Sequence, residues 1–405
     1  MSENKKPASL EGLRILDLSR ILAGPTCTQL LADLGADVIK VERPDVGDDT
    51  RNWGPPFVPD ADGNDSDLSA YFLSANRNKR SIAIDLTSEA GVVLVKRLAA
   101  ICDIVIENYK PGDLARRGLG YEDIRKVKPN IVWCAISGFG QTGPYAERTG
   151  YDFLVQAMGG IMSITGESDA AGGRPVKVGV GIADVMCGMY ATVGILAALR
   201  HRDRSGEGQY IDLALYDTQV AWLINAATNH LVSSKVPGRL GNRHPNTAPY
   251  QTFATSAGDI AIAIGNDQQF IRFCATIGIP ELADDPRFRR NRDRVVNIDA
   301  LDELVTDALQ ADTAVNWERR LVAAEIPAGR VATIDQVISN PHTLAREMVV
   351  EVQTQGGQQL RLLGNPLKMS GTPVRLDRPP PHLDEDRAQI LHELAELEAA
   401  KGVLD

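Results

Sequence analysis

Asp184 stands where a Gly- and Val-rich stretch, VKVGVGIA, gives way to VMCGMYATVGILAALRHR, an apolar, small-residue segment that reads as a helix. A carboxylate at such a junction has two physical readings. One is an N-cap, worth about 1 kcal/mol of helix stability. The other turns the same geometry to chemistry: the positive helix end keeps the carboxylate ionised, and nearby N–H groups hold an oxyanion. The ionised oxygen is then a covalent nucleophile. Arg43 closes a predicted strand, DVIKVER, where an arginine suits a phosphate on a nucleotide ribose. It equally suits an ion pair with Glu42 or Asp37. Gly138, Gly140 and Gly143 spell GxGxxG after a predicted strand, the spacing of a dinucleotide loop. The context argues against it, because Pro144 follows at once, Gly150 interrupts again, and the first β-α-β unit lacks the fingerprint. Neither GxxxxGK[ST] nor GxSxG occurs. Cys27, near another helix start, reads as a buried, inert thiol rather than an activated one. The six histidines show no metal-ligand spacing; His244, in a polar, Gly-flanked loop, is the one to watch.

The elements that must position these residues alternate. LRILDLSR reads as a strand, GPTCTQLLADLGA as a helix and DVIKVER as a strand, with Pro25 in the first helical turn and Gly35 at its end. SIAIDL, the helical SEAGVVLVKRLAAICD, IVIENY, a helix from about Tyr121, and NIVWCAIS repeat the pattern. After the Asp184 helix come an apolar strand, QYIDLALYD, and a helix, DTQVAWLINAATNHLV. Such alternation predicts a mostly parallel sheet covered on both faces. From about residue 236 the texture changes to a polar loop, a hairpin turning at SAGD, and charged helices over 281–345 that carry a solvated run, RFRRNRDR. A strand-like LRLLGNPLKMSG, a Pro-rich RPPPHL and a final amphipathic helix close the chain. The division expected is a large Rossmann-like α/β domain over 10–225 and 365–405, a small α+β domain over 240–345, and linkers at 226–239 and 346–364.

At 405 residues, with 43% hydrophobic and 24% charged, the composition is that of a globular protein. The N-terminus MSENKKPASLEG has no signal-peptide core, and no apolar run reaches the roughly 18–20 residues of a membrane span. Five scattered cysteines without a CxxC pair make disulfides and structural zinc unexpected. A cytoplasmic enzyme is the expectation. A net charge of −10 argues against nucleic-acid binding, so any anionic ligand must meet a local Arg/Lys cluster.

The segments LEGLRILDLSRILAGPTCTQLLADLGADVIKVERP, ANRNKRSIAIDL, ENYKPGDLARRGLGYE, SGFGQTGPYAERTGYDFLVQAMGG and GIADVMCGMYA together resemble the family III CoA-transferases, the group of formyl-CoA transferase and carnitine CoA-transferase. The likeness runs from about Leu10 to the C-terminal helix and makes GFGQTG a family element. It implies that Asp184 is the catalytic aspartate and that Ile21, Ala23, Arg43, Ile84, Asn108, Lys110 and Arg116 contact coenzyme A. It also implies an interlocked homodimer, coenzyme A as substrate, and no permanently bound cofactor or metal. Two departures bear on acyl recognition. Leu22 replaces a glutamine of formyl-CoA transferase, and GRLGNRHPN, with Gly241, Arg243 and His244, replaces a denser glycine run that closes over the intermediate.

The segments GNRHPNTAPYQTF and IAIGNDQQF are similar to relatives that use dicarboxylates, such as succinyl-CoA:glutarate and itaconate CoA-transferases. A distal carboxylate needs a cation, for which Arg51, Arg77 and Arg243 are the candidates, and loop 238–246 is the expected lid. The expected activity is transfer of coenzyme A, with succinyl-CoA as donor and a dicarboxylic acid as acceptor, through an aspartyl anhydride and thioester. Transfer to monocarboxylic acids is one alternative. A racemase of the α-methylacyl-CoA type is another, but it needs an acid-base pair, and Tyr151 stands where that branch has a histidine. A non-catalytic coenzyme A binder is the third.

Overall fold

Strands β1 (Arg14–Asp17), β2 (Asp37–Glu42), β3 (Phe57–Pro59), β4 (Asp65–Ser69), β5 (Lys79–Ala83), β6 (Ile104–Glu107), β7 (Val132–Ser137) and β8 (Tyr210–Ala214) supply the frame of the first half. The computed structural model describes residues 6–60, 62–354 and 357–401. Six of these strands form one sheet in the order β5-β2-β1-β6-β7-β8, every neighbouring pair parallel. Counting only its members, that order is 3-2-1-4-5-6, the doubly wound arrangement whose ligand crevice opens beyond the C-terminal ends of the two central strands. Here those strands are β1 and β6. The pair β3 and β4 stands apart as a short antiparallel hairpin.

Both faces of the sheet are covered, as the near-continuous Val/Ile content of its strands requires. One face buries Ile15, Val38, Ile106, Cys134 and Ile136 under helix Ala23–Asp33 and helix Ile182–Ser205. The other buries Leu16, Ile39, Val105 and Trp133 under helix Glu89–Ile101 and helix Arg387–Lys401. Helix Ala23–Asp33 ends as its sequence demands. Gly35 takes φ +103°, and the amide of Ala36 reaches back to the carbonyl of Leu31. Helix Ile182–Ser205 is long and apolar enough to cross a membrane, unlike any run expected from the sequence. Its buried face, Cys187, Ala191, Ile195 and Ala198, is part of the core.

The chain divides into two compact units. One holds residues up to Gly160, Val178–Trp222 and those from Pro341 on; the other holds Ile161–Lys177 and Leu223–Asn340. The expected boundaries lie elsewhere for physical reasons. The stretch 346–364, expected as a linker, forms an antiparallel hairpin, β12 (Val349–Gln353) with β13 (Gln359–Leu363). Val352, Leu360 and Leu362 of that hairpin pack on Val58 and Leu73 of the large unit. The expected helix 217–232 breaks at Trp222, into Leu215–Ala221 and Ile224–Ser233. Its first turn also takes over the end of the predicted strand QYIDLALYD, because β8 stops at Ala214.

The smaller unit is α+β. Strands β9 (Tyr250–Ala254) and β10 (Asp259–Ala263) pair across the SAGD turn, and β11 (Ala328–Arg330) joins β10. Phe253, Ile260, Phe270, Phe273, Trp317 and Leu321 make its core. The run RFRRNRDR is only in part the solvated face expected, with Arg287, Arg289, Arg290 and Arg292 exposed. Phe288 and Arg294 are both fully buried, and Arg294 donates to the carbonyls of Ala248 (2.6 Å) and Phe288 (2.9 Å) while pairing with Asp267 at 2.8 Å.

Candidate functional site

A cavity of ≈ 230 Å³ lies at the crevice that the strand order marks, and Ile21, Ala23, Asn108, Lys110 and Asp184 all line it. Six separate sequence segments must converge to build it. The turn after β1 and the turn after β6 are locked together: Asn108 accepts from the amide of Arg20 at 2.8 Å and donates to its carbonyl at 2.7 Å.

The turn over Ser19–Leu22 is held by buried charge. Asp17 accepts from the amide of Ser19 (2.9 Å), the hydroxyl of Thr28 (2.6 Å) and the ammonium of Lys79 (3.2 Å). Lys40 donates to the carbonyl of Ser19 (3.0 Å) and to Asp48 (2.8 Å). Asp48 also accepts the amide of Ile21 at 3.2 Å. Burial alone would raise the carboxyls of Asp17 and Asp48; the lysines beside them overcome it and hold both below the usual range, Asp48 at about 2. This support is needed because Ile21 has φ +72°, a left-handed conformation that costs a β-branched residue about 1–3 kcal/mol. Lys40, a charge within the apolar strand VIKVE, was the sequence signal for this network, since an unpaired lysine is almost never buried.

Asp184 is the third residue of helix Ile182–Ser205, not its cap; Gly181 holds the cap position. The capping carboxylate comes from Asp152, which accepts the amides of Ala183 (2.7 Å) and Asp184 (3.4 Å) and is itself steadied by Gln156 at 2.7 Å. Sequence reasoning passed over Asp152, although the quoted block RTGYDFLVQ contains it. Asp184 itself has no hydrogen-bonded cation among the described residues. Burial first, then the charge of Asp152, push its carboxyl up to about 7. Tyr71 feels the same site, its phenol raised by burial and then by Asp184 and Asp152. The start of helix Ala23–Asp33 borders the cavity without a side-chain cap, and Leu22 meets Gly181 there.

Other expected residues lie elsewhere. Arg43 pairs with Asp49 at 2.6 Å, rather than with Glu42 or Asp37, and Asp49 in turn holds Arg20 of the cavity at 2.8 Å. Arg116 is exposed and paired with Asp113. Ile84 is a core residue, packed with Leu16 and Val41. Arg51 and Arg77 must be withdrawn as substrate residues. Arg51 is buried on Glu42 (2.7 Å through two nitrogens) and Asp67 (2.8 Å), over the ring of Phe72. Arg77 is buried on Asp33 (2.6 and 3.0 Å) and the carbonyl of Leu363. Both guanidiniums are buried and committed to carboxylates of the fold, so both are structural. In the smaller unit, Arg243 is pinned between Asp299 (2.7 Å) and Asp302 (2.6 Å). There Gly241 takes φ +63°, and His244 accepts the amide of Asn246 at 3.1 Å beside the ring of Tyr250. The GFGQTG loop opens no helix. Gly138 lies against Gly150, where an added Cβ would meet backbone at 2.6 Å, and the next helix begins only at Asp152. Cys27 is fully buried and its thiol is pushed up to about 12 by burial, which leaves it inert.

Comparison with known proteins places this geometry. The chain is 47% identical over 401 residues, 98% of each protein, to a succinate–glutarate CoA-transferase of Agrobacterium fabrum. It is 43% identical over 350 residues to the human succinyl-CoA:glutarate CoA-transferase, covering 86% of this chain and 77% of that one. Its fold matches the crystal structure of a CAIB/BAIF family protein from Brucella suis with a TM-score of 0.84 at 46% identity, over 96% of this chain and all of that one. The model of CoA-transferase family III matches residues 10–387, and with the doubly wound sheet, the switch-point cavity and relatives of this similarity, the chain belongs to that family.

Proposed function

We propose that this enzyme moves coenzyme A from succinyl-CoA to a dicarboxylic acid, with Asp184 as the covalent nucleophile. The observation that carries the reading is the single cavity in which Asp184 meets Ile21, Ala23, Asn108 and Lys110. The names of the relatives support the donor and the acceptor class.

The ionised Asp184 attacks the thioester carbonyl; the C–S bond breaks and coenzyme A leaves as a thiolate, giving an acyl-aspartyl anhydride. The thiolate attacks the aspartyl carbonyl, the donor acid leaves as its carboxylate, and an aspartyl-CoA thioester remains. The acceptor carboxylate attacks that thioester and releases the thiolate, which takes the acyl group from the new anhydride and frees Asp184. One thioester is exchanged for another of similar energy, so the cycle needs no ATP. Each step passes through an oxyanion. The uncapped first turn of helix Ala23–Asp33, beside Leu22, offers N–H groups and the positive end of a helix to it. Lys110 and the Arg20–Asp49–Arg43 relay give the coenzyme's phosphates positive charge.

The same reading makes the protein a cytoplasmic, interlocked homodimer with no permanently bound cofactor. Val193 and Leu196, exposed on helix Ile182–Ser205, are the apolar surface that supports a second copy. Light scattering should then give twice the chain mass of 43.8 kDa. The decisive assay is incubation with succinyl-CoA and a panel of dicarboxylates, reading new acyl-CoA masses. One dominant product is expected, lowered on the order of 10³-fold or more in Asp184→Ala while coenzyme A binding persists. Equal turnover by that variant would overturn the covalent role.

A further inference from the structure

Three cations line the Asp184 cavity: Arg20, Lys110 and Arg148. Arg20 is already paired with Asp49 at 2.8 Å. Arg148 has no ion pair and no side-chain hydrogen bond among the described residues. It is nevertheless held in place. Its guanidinium lies 4.5 Å over the ring of Tyr145, which meets the buried Phe139 edge-on at 5.6 Å. Its amide donates to the carbonyl of Tyr145 at 2.9 Å, and the chain just beyond it is fixed by the Gly138–Gly150 approach and by Asp152 on the Asp184 helix.

A guanidinium held by its face keeps its edge free. Five N–H donors in a planar fork match a carboxylate through two parallel bonds, whereas the point charge of Lys110 suits a phosphate. A dicarboxylate that presents one carboxyl to Asp184 must bring the other into the same cavity, and an unpaired carboxylate there would be costly. The arginines first expected to receive it are already occupied by Glu42, Asp33, Asp299 and Asp302.

We propose that Arg148 receives the distal carboxylate of the acid being transferred and so sets the preference for dicarboxylates over monocarboxylates. This rests on the transfer reading above. The test uses the full-length enzyme with saturating succinyl-CoA and two acceptors of equal chain length, glutarate and pentanoate. Wild type should prefer glutarate. Arg148→Met should lower kcat/KM for glutarate about 10- to 100-fold, mainly through KM, and leave pentanoate unchanged. Arg148→Lys, which keeps the charge and loses the fork, should fall between. Coenzyme A affinity, measured by calorimetry on both variants, should match wild type. An unchanged glutarate-to-pentanoate ratio in Arg148→Met would overturn the assignment. A lost affinity for coenzyme A with the ratio intact would also overturn it, assigning Arg148 to a phosphate instead. If wild type transfers coenzyme A to neither acid, the transfer reading itself fails and this inference with it.

Discussion

A carboxylate that must attack a carbonyl has to be ionised, and Asp184 is built to resist ionisation. Burial and the neighbouring charge of Asp152 raise it to about 7 from an ordinary value of 3.8. A higher proton affinity also means a stronger nucleophile once the proton is gone, and a partly buried carboxylate has already lost part of its hydration shell before the substrate arrives. In free enzyme, kcat/KM for the acyl-CoA should therefore rise with pH through about 7 and level off above it. Asp152→Asn keeps an oxygen for the amide of Ala183 but removes the charge, so its acid limb should move to lower pH; an unmoved limb would disprove the coupling. Stability follows the opposite sign. Between the ordinary value and about 7 the folded chain holds a proton that the unfolded chain has lost, so the stability this group contributes at low pH drains away as pH rises. Asp184→Asn does not titrate. Its stability relative to wild type should grow from pH 4 to pH 8, by about 2 kcal/mol for a carboxyl only partly buried. Urea melts of both proteins across that range measure it.

Two helices bring the reacting groups together, and a glycine decides how closely. An added Cβ at Gly188 would lie 2.6 Å from the carbonyl oxygen of Ala23, which is backbone and cannot swing aside. Gly188→Ala should thus force helix Ile182–Ser205 away from helix Ala23–Asp33, at a cost of about 1–3 kcal/mol. Transfer by the protein that still folds should fall as well, since Asp184 and the uncapped turn at Leu22 would separate. Ala191, one turn along the same face, is already an alanine within the core, so Ala191→Gly should lose stability with a smaller loss of turnover. The elements themselves were legible, because β1, β2, β6 and β7 are apolar runs between helical periods. What those elements do at their ends was not. The cap that Asp152 lends to another helix and the Gly138–Gly150 contact both depend on residues distant in sequence. Arg294 misled for the same reason: a charge-rich run looks solvated until Asp267 and two carbonyls from elsewhere surround one of its members.

Across the whole molecule, the chain's two ends of information differ in reach. Asp184, Asn108 and Lys110 were expected from the family resemblance, and one cavity gathers them; the cation for a second carboxylate was sought in Arg51, Arg77 and Arg243, whose commitments to Glu42, Asp33, Asp299 and Asp302 no local pattern discloses. Longest in reach is the edge of the sheet. β5 is an outer strand, and no further strand pairs with its free side among the described residues. Two acidic side chains do so instead: Asp386 accepts the amide of Ser81 at 2.9 Å across 305 positions, and Asp384 accepts that of Ala83 at 2.6 Å. Covering an edge this way protects it from pairing with another chain. Helix Arg387–Lys401 then lays Ile390 and Leu394, both essentially inaccessible, on the core beside Leu98 and Val95. The first residue of β5 is Lys79, which holds Asp17 beneath the Ser19–Leu22 turn, so the C-terminal helix supports the site through the strand it covers. Leu394→Ala should cost about 2–4 kcal/mol in urea unfolding. Native-state hydrogen exchange should show the amides of Ser81 and Ala83 losing protection, while those of β6, at the sheet's centre, change only by the global loss. Uniform loss at both strands would mean that the helix stabilises the fold as a whole and does not guard this edge in particular.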